Sequence, residues 1–445
     1  MPNDRAADAA RLRGALAANP LDRVSWHNLA AAEGDLGRAA EAEVAARRAI
    51  ALGITAPETR LVLARALQAL NRLDEAERMF EEALALRPAY AEAHRDLAQL
   101  RWMRTGRVEA ALRALDDALR TAPRDGPLHL VRSIALEFTG DAPAALATAE
   151  AGLAHAPEEP QLLRQASHLC AELGQGARAV GFAQRAAGVA PGAAPVQVTL
   201  CEALLASGQL VEAESAAARL CAMEPLDQHA IALRATAWRL LGDPRCEALY
   251  DYPGLVHSEA LDVTQGFLEE LAQDLEALHR YRTHPFQQSV RGGGQLPLNA
   301  QEMTRPSIRA LFESFHRVVQ RHLARLGTGA DPFRSRNTGR FALAGAWSVR
   351  LSSGGYHTDH VHPRGWLSSA FYVALPRAMS PESTRAGWLR LGRPGIATEP
   401  RLPAQYHVQP EPGKLVLFPS YMWHGVEPFE SGEPRLTVAF DALPA

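Results

Sequence analysis

The sequence lacks a charge of either sign in excess. Its 47 Lys and Arg stand against 50 Asp and Glu, a formal net charge of −3. A chain that gripped nucleic acid by bulk electrostatics would carry a basic surplus, so no nucleic-acid partner is expected. Cysteine is scarce: Cys170, Cys201, Cys221 and Cys246 are the only four, with no C-x-x-C spacing. They read as buried free thiols in a reducing compartment rather than as a disulfide framework. Long apolar runs are missing too. No stretch approaches the roughly 20 residues that span a bilayer. Met1 to Asn19 carries charges throughout instead of the apolar centre of a signal peptide. A soluble cytoplasmic protein without a membrane partner is the expectation, and 445 residues leave room for more than one domain.

What is present first is a period. Gly106, Gly140, Gly174, Gly208 and Gly242 follow one another at steps of 34 residues. Pro123, Pro157, Pro191 and Pro225 keep the same step, Gly37 and Asn71 are likewise 34 apart, and Asn71 and Pro88 extend the two series one residue out of step. Between Tyr90 and Pro123, Leu97, Ala98, Leu100 and Trp102 precede the Gly106 turn, and Ala110, Ala111, Leu115, Ala118 and Leu119 follow it. Apolar residues at three- and four-residue steps on both sides of a glycine predict two amphipathic helices per unit. Proline then stops the second helix, because it has no N–H and clashes with the preceding turn. The block resembles tetratricopeptide repeats from about residue 20 to 243, some six to seven units. Such arrays carry a concave groove that binds peptides or proteins. Arg95, Gln99, His129, Arg132, Gln165 and His168 are its polar candidates.

After Gly242 the period ends. Helical spacing returns in 267–279 and 305–326, while the triple glycine 292–294 reads as a flexible loop. From Phe341 onward, short β-type runs alternate with turns: 346–351, 369–375, 387–391, 414–418 and 435–440. Many short strands after a few helices predict a sandwich or barrel braced on one side.

That β region holds the densest set of metal-ligand side chains in the chain: His357, Asp359, His360 and His362, with His424 downstream. Residues at i and i+2 share one face of a strand. Two histidines and a carboxylate on one face suit non-heme Fe(II), and imidazole also suits zinc. His357-Thr358-Asp359 and His360-Val361-His362 differ in parity, so a regular strand cannot aim both pairs inward, and spacing does not choose between them. A dicarboxylate ligand would need an arginine, which Arg435 and, less directly, Arg350 could supply.

The stretch from about 246 to 445 resembles 2-oxoglutarate/Fe(II)-dependent dioxygenases of the His-x-His-Pro type, related to prolyl hydroxylases. Gly354-Gly355, His360-Val361-His362-Pro363, Ser368-Ser369-Ala370-Phe371-Tyr372, Gly413 to Ser420 and Trp423-His424 carry the likeness, as do Gln288, Ser289 and Arg291 in a Gln-Ser-x-Arg-Gly run. The resemblance implies a double-stranded β-helix, or jelly-roll. It implies His360, His362 and His424 as iron ligands, in catalytic roles. It implies Arg435 with Tyr372 on the distal carboxylate of 2-oxoglutarate, and O2 as the second co-substrate, with ascorbate a further candidate. Where the more distant prolyl hydroxylases have an Asp, this chain has His362, which leaves Asp359, with His357, as the alternative ligand pair.

The expectation is therefore an α + β multidomain chain: a tetratricopeptide solenoid over 1–243 and a jelly-roll dioxygenase with bracing helices over 244–445. It would hydroxylate a peptide or protein side chain recruited by the repeats. A small-molecule oxygenase whose repeats bind a partner, and a non-catalytic scaffold, are the rival readings.

Overall fold

The computed structural model describes residues 2–299, 302–377 and 384–445. The chain folds into two compact units, Met1–Ala156 and Pro157–Ala445. The position after residue 243, where the repeat period ends, lies inside the second unit.

In the first unit, helices pack in pairs: Arg23–Asp35 on Ala39–Ala51, Pro57–Ala69 on Leu73–Leu86, Ala91–Thr105 on Val108–Thr121, and Gly126–Phe138 on Ala142–His155. The periodic residues make the turns within these pairs. Gly37, Gly106 and Gly140 have positive φ, and so does Asn71 at 61°. A left-handed turn excludes most Cβ-bearing residues, and asparagine is among the few that tolerate it. Small buried residues such as Ala42, Ala45, Ala46 and Ala49 form the contact faces and let helices approach closely.

The second unit opens with helices Pro160–Glu172, Gly176–Val189, Ala194–Ala206, Leu210–Met223 and Gln228–Leu241. Helices of the second kind stop just before Pro191 and Pro225. Strands then follow: β1 His257–Ala260, β2 Val290–Pro297, β3 Phe341–His360, β4 Leu367–Ala374, β5 Leu389–Leu391, β6 Tyr406–Val408, β7 Lys414–Pro419, β8 His424–Val426 and β9 Arg435–Pro444. They form one antiparallel jelly-roll sheet in the order β1-β7-β4-β9-β3-β8-β5-β6, with β2 on β3. Helices Gln265–Glu276 and Pro306–Leu326 brace it. Phe315 packs at 5.2 Å from Phe371 and 5.0 Å from Phe440. Those two rings point away from Tyr372 and Asp441, so the brace leaves the sheet's inner face free for chemistry.

One expectation is corrected here. The triple glycine is not a loop but part of β2, with Gly293 opposite Leu351 and Gly294 opposite Arg350. The physical reason is a close backbone crossing. A Cβ on Gly293 would lie 2.2 Å from the Arg350 carbonyl oxygen. Only glycine lets the strand bulge between Arg291 and Gly293 lie so near its neighbour.

The last repeat helices are built onto the β domain. Asp227 caps Gln228–Leu241 by accepting from Ala230 N–H at 2.8 Å, and Gly242 in the left-handed conformation ends the helix. The first-turn N–H of Gln228, which no helical carbonyl can satisfy, donates to Pro363 O at 2.9 Å. Arg239 donates to Gly392 O at 2.6 Å and to Pro403 O at 2.9 Å. Leu205 O accepts from Glu399 N–H at 3.0 Å. Ile396 and Ala397 share a small pocket with His168, Glu172, Thr199 and Glu202. His168, a predicted groove residue, thus meets the β domain's own 392–403 segment.

Candidate metal and co-substrate site

The parity conflict in the histidine cluster is removed by a bulge. On β3, His357 pairs with Val426 and His360 with His424, so three steps on β3 match two on β8. One extra residue inverts the alternation after it. His357 and His360 therefore face the same side, with ring centroids 5.9 Å apart. Ser289 Oγ lies 3.0 Å from His357 Nδ1 and 3.3 Å from His360 Nε2.

Asp359, between them, faces away. Its carboxylate accepts from Arg390 Nε at 2.8 Å, Arg390 Nη2 at 3.1 Å and Arg393 Nε at 2.5 Å. Arg390, 1% exposed, also pairs with Glu427 at 3.1 Å. These partners occupy the Asp359 oxygens on the outer side of the strand.

His360, His362 and His424 converge instead. Their ligand nitrogens all lie within 4.8 Å of one another. Ring centroids are 4.2 Å apart for His360 and His424, 5.2 Å for His360 and His362, and 5.0 Å for His362 and His424. His360 Nδ1 donates to Thr358 O and His424 Nδ1 to Met422 O, both at 2.9 Å. Carbonyl oxygens only accept, so Nδ1 carries the proton in both rings and Nε2 keeps its lone pair. Burial, then the neighbouring imidazoles, push His360 down to about 3 and hold His424 well below its ordinary value. Neutral, pre-oriented imidazoles are what a divalent cation needs.

His362 differs from the other two. Its Nδ1 meets a carboxylate, Asp441, at 2.6 and 2.7 Å. Ser368 donates to Asp441 Oδ1 at 2.7 Å and lies 2.8 Å from Ser420 Oγ. Trp347 packs 5.5 Å from the His362 ring and Phe418 4.7 Å from the His424 ring, giving the trio an apolar wall.

Arg435 and Tyr372 lie on the same inner face. Arg435 is 2% exposed and Tyr372 fully buried. The guanidinium stands 5.2 Å from the phenol ring centroid. Arg435 Nε is buried without a hydrogen-bond partner, and the buried Tyr372 hydroxyl has none beyond the Arg435 guanidinium beside it. A buried unpaired donor costs about 1–3 kcal/mol, so both fit an acceptor that enters from outside, such as a carboxylate. Burial raises the Tyr372 phenol above its usual range, which keeps it a donor. Arg350 is not brought to the site. It pairs with Leu436, one residue out of phase with Arg435, and its side chain reaches Ser352.

Two contacts escaped the sequence reading. Ser289 belongs to a recognised run, yet its reach to His357 and His360 depends on β2 crossing β3. Asp441 had a signal. Arg435, Thr437, Ala439 and Asp441 alternate along β9, so a charged residue recurs on the face that carries Arg435. Of the other two members of the Gln-Ser-x-Arg-Gly run, Arg291 donates to the Gln288 carbonyl at 2.6 Å.

Comparison with known proteins finds two families that match separate segments. Residues 345–441 match the family described as "Putative 2OG-Fe(II) oxygenase", and residues 71–134 match "Tetratricopeptide repeat". The chain thus joins tetratricopeptide repeats to a domain of that oxygenase type. A search of curated proteins finds no match. Among solved structures, a thermophilic tetratricopeptide protein of Thermus thermophilus is 25% identical, covering 41% of this chain and 99% of that one at a TM-score of 0.33. A tetratricopeptide repeat protein of Parabacteroides merdae is 17% identical, covering 53% of this chain and 93% of that one at a TM-score of 0.39.

Proposed function

We propose that the protein is an Fe(II)- and 2-oxoglutarate-dependent dioxygenase that hydroxylates a peptide or protein side chain. The observation that carries this is the convergence of three imidazole nitrogens within 4.8 Å, on an inner face that also holds a buried arginine and tyrosine with unpaired donors.

In this reading His360, His362 and His424 would hold the metal through Nε2. Arg435 takes the distal carboxylate of 2-oxoglutarate through its planar fork, and Tyr372 adds its hydroxyl. When bound, iron, co-substrate and O2 supply oxidative decarboxylation to succinate and CO2, coupled to hydroxylation of a C–H bond. The chain's own part is to orient the ligands through Thr358, Met422 and Asp441, and to keep water from the pocket with Trp347 and Phe418. Asp359 has a structural role as the partner of Arg390 and Arg393.

A macromolecular substrate follows from the repeats, since such arrays generally bind proteins or peptides. Inner helices of the Pro157–Ala445 unit already hold the 392–403 segment, so recruitment is assigned to helices of the first unit. We also assign the protein to the cytoplasm, because all four cysteines are free thiols, the state a reducing compartment maintains.

The test is anaerobic titration with Fe(II) and then 2-oxoglutarate, monitoring the weak visible charge-transfer band of the chelate. A band, followed by succinate formation under air, is expected. No band and no succinate would overturn the proposal. Mass spectrometry of proteins retained by the repeats, seeking a 2-oxoglutarate-dependent gain of one oxygen, then identifies the substrate. A small-molecule oxygenase would show succinate formation but no such gain.

A further inference from the structure

A metal face of three imidazoles has no negative charge of its own, whereas two histidines and a carboxylate would supply one. Asp359, the carboxylate nearest in sequence, is turned away and paired with Arg390 and Arg393. A different carboxylate stands behind the site. Both oxygens of Asp441 lie within hydrogen-bond distance of His362 Nδ1, at 2.6 and 2.7 Å.

The contact is built rather than incidental. Asp441 pairs directly with Ser368 across β9 and β4, and the Ser368 hydroxyl donates to its Oδ1 at 2.7 Å. Ser420 Oγ, 2.8 Å from Ser368 Oγ, completes the chain of hydroxyls. The side chains of His362 and Asp441 are only 15% and 14% exposed, so solvent screens the pair weakly. His360 and His424 have carbonyl oxygens in the corresponding place. A carboxylate on the far nitrogen of a ligating imidazole fixes its tautomer and raises its basicity toward the metal.

We propose that Asp441 is a positioning residue which, through His362, supplies the negative charge that the three-histidine face lacks. This rests on the reading of His360, His362 and His424 as metal ligands.

Asp441→Asn separates charge from geometry, because the amide oxygen still accepts from His362 Nδ1. Anaerobic titration of the full chain with Co(II) reads affinity, and the visible ligand-field spectrum reads coordination. Asp441→Asn is expected to bind Co(II) about 10- to 100-fold more weakly, with one-to-one stoichiometry and a shifted spectrum, while Asp441→Glu recovers most of the affinity. Wild-type affinity and an unchanged spectrum in Asp441→Asn would overturn the inference. If that variant melts early, Ser368→Ala takes its place, since it keeps the carboxylate and removes its clamp. Weaker Co(II) binding with wild-type melting then supports the inference, and unchanged binding overturns it. His360→Ala keeps the two readings apart. If wild type and His360→Ala bind Co(II) alike, the ligand assignment fails. If His360→Ala abolishes binding and Asp441→Asn leaves it intact, only the role of Asp441 fails.

Discussion

The indole N–H of Trp423 donates to Thr236 Oγ1 at 3.0 Å, across 187 positions of sequence. Trp423 precedes His424, and Thr236 lies on the last repeat helix. The His229 ring meets the same indole edge-on at 5.5 Å, and Gln228 N–H holds the carbonyl of Pro363, the residue after His362. One repeat helix therefore anchors both segments that carry the histidine trio.

Thr236→Val removes the acceptor without changing the side chain's shape and leaves a buried indole N–H unpaired. Stability by chemical denaturation should fall by about 1–3 kcal/mol, and Co(II) affinity should fall with it. Replacing Arg120, an exposed residue of the first unit, by Ala should change neither.

The two carboxyl and imidazole candidates on β3 should separate cleanly. His360→Ala is expected to abolish metal binding while the fold persists. Asp359→Asn breaks a buried pair with Arg390, whose side chains are 5% and 1% exposed, and should destabilise by about 3–5 kcal/mol. Its folded fraction should still bind one metal ion. Loss of metal from a well-folded Asp359→Asn would reverse the assignment.

For the co-substrate, Arg435→Gln should weaken 2-oxoglutarate binding about 100-fold, the scale of a lost charge-assisted pair at ~2–3 kcal/mol. Arg435→Lys should recover only part, because an ammonium cannot form the two parallel bonds. Tyr372→Phe should cost about tenfold or less. Quenched-flow succinate assays and anaerobic titration both read these changes. An effect on metal affinity equal to that on 2-oxoglutarate would argue that Arg435 acts on the fold instead.

Stability should fall on mild acidification through groups outside the site. Burial holds His279 and His322 near 4, below the ordinary value of 6.5. The unfolded chain then binds more protons between those values, so stability is full above about pH 6.5 and declines toward pH 4. His322, stacked 5.1 Å from His257, should contribute about 3 kcal/mol to that decline. His322→Phe should flatten the denaturation midpoint across this window, and an unaltered pH slope would contradict the assignment.

Much of this architecture is local and was legible for that reason. A positive φ recurs at the turn within each helix pair, so Gly106, Gly140 and Gly174 reveal the period, and Asn71 fits because its side chain tolerates the same turn. The run 435–440 reads as a strand because its alternation is internal to the segment. The triple glycine misled because its meaning lies outside itself: Gly293 is needed where the Arg350 carbonyl passes too close for a Cβ.

The histidine cluster divides in the same way. Which side chains can take part is set by the order of residues alone: His357, Asp359, His360, His362, His424 and Arg435 are all written there, with spacing that suits strands. Which of them meet depends on the packed strands. The bulge between His357 and His360 exists through pairing with β8, and it turns Asp359 outward to Arg390 while His360 and His362 stay inward. Asp441 reaches His362 because β9 lies beside β4, a neighbour relation no local pattern contains. A side chain's identity is covalent, but the direction it faces is set by the strands packed against it.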